Sequence, residues 1–319
     1  MLKYLRILAL AMLSFPTLSS AADSRMVRVV VPYAPGGNVD AIARFYARQL
    51  GTLLNETWVV ENISGANAVI GTTHVANAKA DGATLLFSAD VHSMVPLIVK
   101  NVPYDPIKDF QPISRLASAP LLFVVNPQQV RAHDLAELER DIKADPTKYS
   151  FAMSGAGSSP QLGAESFKSR IGVNVLTVNY RGTGPAIQDV AGGHVNMMVV
   201  TPLAALPLVR AGRLKALAIT AEQRFAIASE VPTTQEAGMP GFLLTNSYGF
   251  WAPRGIPAEA LKRLSDAMQR VNGDAKVQAS LRELGVEAMW ETPDSFAQHI
   301  RKEYEHNRKL LSAAGIKPE

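Results

Sequence analysis

The chain has 319 residues, with 32 Lys and Arg against 28 Asp and Glu for a formal charge of +4, 47% hydrophobic residues and no cysteine. Without Cys there is neither a disulfide framework nor a thiolate metal site, and without a basic tract interleaved with aromatics nucleic acid is not an expected partner. The length suffices for two lobes with ordinary hydrophobic cores.

The N-terminus reads "MLKYLRILALAMLSFPTLSSAADS": Lys3 and Arg6, an apolar run from Ile7 to Phe15, then small residues up to Ala21 and Ala22. This is the pattern of a secretory signal peptide over residues 1–22, with cleavage expected after Ala21 or Ala22. Its apolar core is too short to span a bilayer, and no later stretch reaches the roughly 18 apolar residues a membrane helix needs. A soluble, exported product is expected, and removing Lys3 and Arg6 lowers its formal charge to +2.

In chain order, "VRVVV" (27–31) is a continuous apolar strand of the kind buried on both faces of a parallel sheet. After "PYAPGG", Val39, Ile42, Tyr46, Leu50 and Leu53 recur at helical spacing, which buries one face and turns Arg44 and Arg48 to water. "TWVVEN" gives a second strand, "ISGANAVIG" a glycine-containing loop into a second helix, and "TLLFSAD" a third strand. Strand, loop and helix in this rhythm mean right-handed crossovers and a largely parallel sheet.

The same order recurs further on as "KYSFAM", "SGAGSSP", "QLGAESFKSRIG", "VNVLTVNY", "RGTGP", "AIQDVAGG" and "HVNMMVV". Gly36 and Gly65 are 29 positions apart, and Gly155 and Gly182 are 27 apart. Two lobes of similar plan follow: residues 23–124 plus 238–319 as a discontinuous first lobe, and 125–237 as the second. The helical tail after "SYGFWAPRGIP" is expected to pack back on the first lobe. The fold class is therefore α/β, two-lobed, with a mostly parallel sheet in each lobe and a cleft between them.

In open α/β sheets a ligand sits beyond the carboxyl ends of the strands. A glycine loop that feeds a helix offers unpaired backbone N–H groups at the positive end of the helix dipole, so an anion fits there without a charged side chain. Gly36 and Gly37 form such a loop in the first lobe; Gly155 and Gly157, with the hydroxyls of Ser154, Ser158 and Ser159, form one in the second. One such loop alone is more often only a tight turn, but two at equivalent positions favour an anion clamp. A nucleotide phosphate is disfavoured, because no Lys follows Gly37 or Gly157, Pro160 stands where a dinucleotide loop has its third glycine, and "VLTVNY" offers no ribose acid. A carboxylate is the better candidate.

Around this clamp, Asp40 serves equally well as a helix-dipole contact or as a group that orients the loop, a ligand amine or a water. Arg181, beside Tyr180, is either a surface arginine or a charged donor to a second carboxylate. Asp90 and Thr201, each after a strand, are cleft-edge candidates. No G-x-S-x-G elbow or H-E-x-x-H motif occurs, and His299, Glu303 and His306 in "HIRKEYEHNRK" read as a solvated charged face rather than a metal site. No enzyme activity, cofactor or metal is expected.

The chain resembles the substrate-binding proteins of tripartite tricarboxylate transporters, the Bug or TctC-like family of periplasmic receptors. The resemblance rests on "VPYAPGGNVDAIAR", "VVENISGANAVIGTTHVANAKADGATLLFS", "VPYDPIKDFQPISRLASAPLLFVVNP", "SGAGSSPQLGAESFK", "VNYRGTGPAIQDVAGGHVNMMV", "AGRLKALAIT" and "VPTTQEAGMPGF" in this order. It implies a type II periplasmic binding fold that closes on a small organic carboxylate, with Tyr33 to Asp40 and Ser154 to Ser159 as two jaws. In that reading Gly36, Gly37, Asn38, Gly155 and Gly157 supply backbone donors, Ser154 and Ser158 hydroxyls, and Tyr33 a wall beside Pro35. The ligand classes implied are dicarboxylates, amino acids and aromatic acids, and the implied partner is a membrane permease or a sensor, with the receptor a monomer. A secreted hydrolase or lyase using the same cleft is the rival reading. The sequence departs from the family's usual proline at Ser64, from its frequent glycine at Asn67 and, with "VVTPL", from its polar residues near Val200 and Thr201.

Overall fold

In a computed structural model of the chain, residues 25–153, 159–180, 182–313 and 318 are described. The expected signal peptide lies outside them. The chain first lays down β1 (Met26–Val31), α1 (Asn38–Leu54), β2 (Thr57–Asn62), α2 (Val69–Ala76), β3 (Thr84–Ala89), α3 (Val95–Ile98) and β4 (Phe110–Pro120). It then builds β5 (Leu122–Val125), α4 (Leu135–Ala144), β6 (Ser150–Met153), α5 (Ser159–Ile171), β7 (Leu176–Asn179), α6 (Thr183–Ala191), β8 (Met197–Val200), α7 (Pro202–Arg210) and β9 (Lys215–Ile219). It closes with β10 (Thr245–Pro253), α8 (Ala258–Asn272), α9 (Ala275–Glu283), β11 (Glu287–Ala288) and α10 (Pro293–Ala313).

Two sheets result, with strand orders β11-β4-β10-β3-β1-β2 and β7-β6-β8-β5-β9. Each has three parallel neighbours, β2-β1-β3 in one and β7-β6-β8 in the other, followed by an antiparallel strand, β10 or β5. A fifth strand, β4 or β9, then pairs antiparallel to that one. The α/β two-lobed class stands, but the sheets are mixed rather than mostly parallel. The reason is the crossing between lobes: β5 and β10 each enter a sheet from the other lobe, at the carboxyl ends of its parallel strands, and so run back against them.

The crossings also move the expected boundaries. Leu122, not residue 125, begins the second sheet, so only Leu121 separates β4 from β5. On the return, Ala237, Met239 and Phe242 pack in the second lobe's core, and the chain crosses at Leu243–Leu244 rather than at residue 238. Thr220, at the end of β9, ties both crossings together: its Oγ1 accepts from the Leu121 N–H (2.8 Å) and donates to the Leu244 carbonyl (2.6 Å).

The first lobe's core sits between its sheet and α1, α8 and α9. Helix α1 buries Ile42, Phe45, Tyr46 and Leu50, at about 1.5–3 kcal/mol for each large side chain. The second lobe is built on Phe123, Phe151 and Phe167, with ring centroids 4.8–5.9 Å apart. Gly71 sets the approach of α2: a Cβ there would lie 2.3 Å from the Ile63 carbonyl oxygen and 3.0 Å from Pro32 Cα, so backbone meets backbone. None of the described helices is long and apolar enough to cross a membrane.

Candidate functional site

The carboxyl ends of β1, β2 and β3 carry the loop at residues 32–37 and the residues that hold it. Two glycines in this loop differ in role. Gly36 has φ +85, a left-handed conformation that excludes most side chains, while Gly37 has φ −83 and serves as the N-cap of α1. Neither position would crowd a neighbour with a Cβ, so Gly36 is needed for its backbone angle and Gly37 leaves the approach to the helix bare.

Helix α1 starts without a side-chain cap. So do α2 after Ala68, α6 after Gly182 and α7 after Thr201. Three other helices are capped by side chains: Asp134 accepts from Glu137 N–H for α4, Asp274 from Lys276 N–H for α9, and Thr292 from Ser295 N–H for α10. Helix α8, entered through Pro257, is a further uncapped start. Lack of a side-chain cap does not by itself leave donors free: at α2 the Val69 and Ile70 N–H groups bond to the Ala66 and Gly65 carbonyls and α7 begins with Pro202, whereas the start of α1 keeps donors of the kind that attract an anion.

Asp40 is buried and its carboxylate faces its own loop. It accepts from the Gly36 N–H (2.9 Å), from Arg44 Nε (3.0–3.1 Å) and from Asn62 Nδ2 (3.0 Å). Asn62 also donates to the Tyr33 carbonyl (3.1 Å), and Arg44 donates to Asn62 Oδ1 (2.8 Å). Burial alone would raise the carboxyl pKa; the bonds from Arg44, Gly36 and Asn62 outweigh it and hold Asp40 below the usual carboxylate range. Of the two roles open to Asp40, the geometry is that of a loop orienter.

This arrangement corrects one expectation and adds to another. The Gly36 N–H is engaged by Asp40, so it is not a free donor; the N–H groups of Gly37 and of Asn38, the first residue of α1, have no acceptor among the described residues. Arg44 is exposed, as its place on the helix implies, and it also braces the loop through Asp40 and Asn62, which follows from its position one turn after Asp40. Sequence reasoning also passed over Asn62 and Ser88. Both are polar residues at carboxyl ends of strands, the one signal that could have drawn them in; Ser88 Oγ lies 3.4 Å from the Tyr33 hydroxyl.

Asn38 and Thr201 meet. Asn38 Nδ2, in the first turn of α1, donates to Thr201 Oγ1, the N-cap of α7, at 3.0 Å. The bond joins residues 163 positions apart and links the two lobes. In the second lobe, Tyr180 donates its hydroxyl to Asp189 (2.6 Å), and burial together with this acidic neighbour pushes the phenol up to about 12. Pro35 is exposed on the loop tip, and Asp90 begins a short helical turn after β3. Ser154, Gly155, Gly157, Ser158 and Arg181 lie outside the described residues. Asn67 has φ +52, between Ala66 and Ala68 at +46 and +72, so the position where the resemblance leads one to expect glycine does require a left-handed backbone. Among the described residues no group of three or more His, Asp or Glu side chains could hold a metal ion.

Comparison with known proteins adds a family. The model described as tripartite tricarboxylate transporter family receptor matches residues 42–316. The protein BugT of Bordetella pertussis is 32% identical over 315 residues, covering 97% of this chain and 95% of BugT. Among solved structures, the periplasmic binding protein BugD is 32% identical with a TM-score of 0.79, covering 92% of this chain and 99% of that one. An R. palustris protein with adipate is 31% identical with a TM-score of 0.83, covering 96% and 100%. MatC from Rhodopseudomonas palustris, with bound malate, is 30% identical with a TM-score of 0.78, covering 93% and 100%. With a family match across most of its length and full-length relatives above 30% identity, this chain belongs to the tripartite tricarboxylate transporter receptor family, the Bug and TctC-type solute-binding proteins.

Proposed function

We propose that this protein is a periplasmic receptor that captures a small organic carboxylate between its lobes and delivers it to a tripartite tricarboxylate-type permease. The observation that carries this reading is the pairing of two bare helix starts across the cleft, α1 and α7, bridged by the 3.0 Å bond from Asn38 to Thr201. The lobes are taken as residues 25–120 with 245–313, and 122–242, hinged where Thr220 binds both crossings. Ligand carboxylate oxygens accept from the N–H groups of Gly37 and Asn38 on one side and from the loop 154–158 on the other. Asp40, Arg44 and Asn62 keep the first loop in shape without touching the ligand. Asn38 and Thr201 close the rim over it, and contacts to both lobes favour the closed arrangement.

Adipate and malate, found with two relatives, support a dicarboxylate as the first ligand to try. A thermal-shift screen of the mature chain with adipate, malate, succinate, citrate, aspartate, glutamate and nicotinate tests the reading. Stabilisation follows RT ln(1 + [L]/Kd), about 2.7 kcal/mol at one hundred times Kd. If no carboxylate raises the melting temperature of refolded, ligand-stripped protein, the binding reading is overturned; consumption of a bound acid replaces it with an enzyme acting in the same cleft. Asn38→Ala and Thr201→Val are each expected to speed ligand release, and the double variant to add little to either, because both remove one bond.

A further inference from the structure

Beside the hinge lies a half-open cavity of about 290 Å³. None of its lining residues belongs to the loops of the interlobe cleft described above. Leu121 and Leu244, the two crossings, contribute to it, as do Leu162 and Ser166 of α5 in the second lobe and Lys302 and His306 of α10 in the first. Its size is near the lower end for small-molecule sites, about 300 Å³.

The lining is divided in chemistry. Leu121, Leu162 and Leu244 present hydrocarbon, and the neighbouring Leu243, which also lines the cavity, is 46% exposed. On α10 one acid, Glu303, faces the space, and His299 Nε2 lies 3.3 Å from its Oε2, an ion pair only when the imidazole carries its second proton. Lys302 and His306, one turn apart on the same helix face, have no acidic partner among the described residues. The charged face of α10 thus stays open to solvent at Lys302 and His306 while forming one side of the cavity, and the Lys302 cation is left without an acidic partner among the described residues.

We propose that this hinge cavity is a second binding site, for an amphipathic monocarboxylate. The carboxylate meets Lys302 and His306, and the hydrocarbon part lies on Leu121, Leu162 and Leu244. Because the occupant touches both lobes and both crossings, it favours one interlobe angle over others and couples to the main cleft, each ligand changing the other's affinity by the same factor.

The test is calorimetric titration of hexanoate into the mature protein held at saturating adipate. Saturable hexanoate binding is expected to persist under adipate. It is expected to weaken at least tenfold in Lys302→Glu, which reverses the charge, and in Ser166→Phe, which fills the space from α5. Both variants are expected to bind adipate alone within threefold of the parent. The proposal is overturned if hexanoate shows no saturable binding, if adipate abolishes that binding, or if neither substitution weakens it. Should the parent fail to bind adipate, the ligand class of the main cleft is wrong, and direct hexanoate titration of the parent and both variants judges the hinge cavity alone.

Discussion

The two lobes share a strand plan but are held together by different chemistry. The second is contiguous in sequence, and its centre is apolar: Phe123, Phe151 and Phe167 with Phe242 against them. The first joins segments from both ends of the chain, and buried polar bonds mark the joints. The Tyr46 hydroxyl lies 2.9 Å from both the Leu116 carbonyl and Asn272 Oδ1 and donates to one of them; Asn272 Nδ2 donates to the Leu116 carbonyl (2.7 Å) and to that of Met289. Arg115 reaches Ser247 Oγ (2.8 Å) and Glu291 Oε1 (2.9 Å), and Ser114 donates to the Glu291 carbonyl (2.8 Å). Burial is non-directional and needs only nearby apolar residues, whereas these bonds accept one register of β4, β10 and the C-terminal helices and no other.

This contrast can be broken experimentally because Trp58, Trp251 and Trp290, the three tryptophans, all lie in the first lobe. Tryptophan fluorescence therefore reports the first lobe, and far-ultraviolet circular dichroism both. The largest effect is expected from Phe167→Ala, about 3–5 kcal/mol. Its urea transition should come earlier by circular dichroism than by fluorescence; coincident curves would mean that the lobes unfold as one unit. Next, Asn272→Ala should cost about 2–3 kcal/mol by stranding the Met289 carbonyl, with the fluorescence transition moving at least as far as the dichroism. A cycle with Tyr46→Phe should give a coupling energy above about 0.5 kcal/mol, and strict additivity would dissolve the proposed joint.

A smaller and pH-dependent effect separates the lobes further. His92 is buried among Tyr104, Phe110 and Trp251, with ring centroids 4.7–6.0 Å away, and neither ring nitrogen has a partner among the described residues. Burial pushes its pKa from 6.5 down to about 3. The unfolded chain binds the proton first as pH falls, so the stability tied to neutral His92 is complete above about pH 6.5 and is lost toward pH 3. His92→Phe should thus gain about 2 kcal/mol on the parent between pH 8 and pH 5, read by urea midpoints; a constant difference at both pH values would refute it. The smallest effect is at Ala66, where φ is +46: Ala66→Gly should stabilise the first lobe by up to about 1 kcal/mol, with a fall in midpoint counting against strain there.

What could be read directly were features written in local pattern. The apolar run before "PYAPGG", the helical spacing of Val39 to Leu53 and the repeated strand-loop-helix order already imply two α/β lobes with glycine loops at strand ends. Asn38, through the family resemblance, and Thr201, from its place after a strand, were both expected at the cleft. That they bond to each other was not, because nothing in either stretch encodes a partner 163 positions away.

The sequence by itself determined the elements, their order, the two similar halves and the family, since periodicity, turn residues and motif order act over short spans. Tertiary structure decided which groups are free. The Gly36 N–H, a donor in the sequence, is occupied by Asp40 once the loop folds back, and the exposed Arg44 also serves as a brace. It also decided that β5 and β10 run against their neighbours and that the charged face of α10 lines a cavity. These depend on where the chain crosses between lobes, a property of hydrogen bonds and packing among distant segments that no local pattern carries.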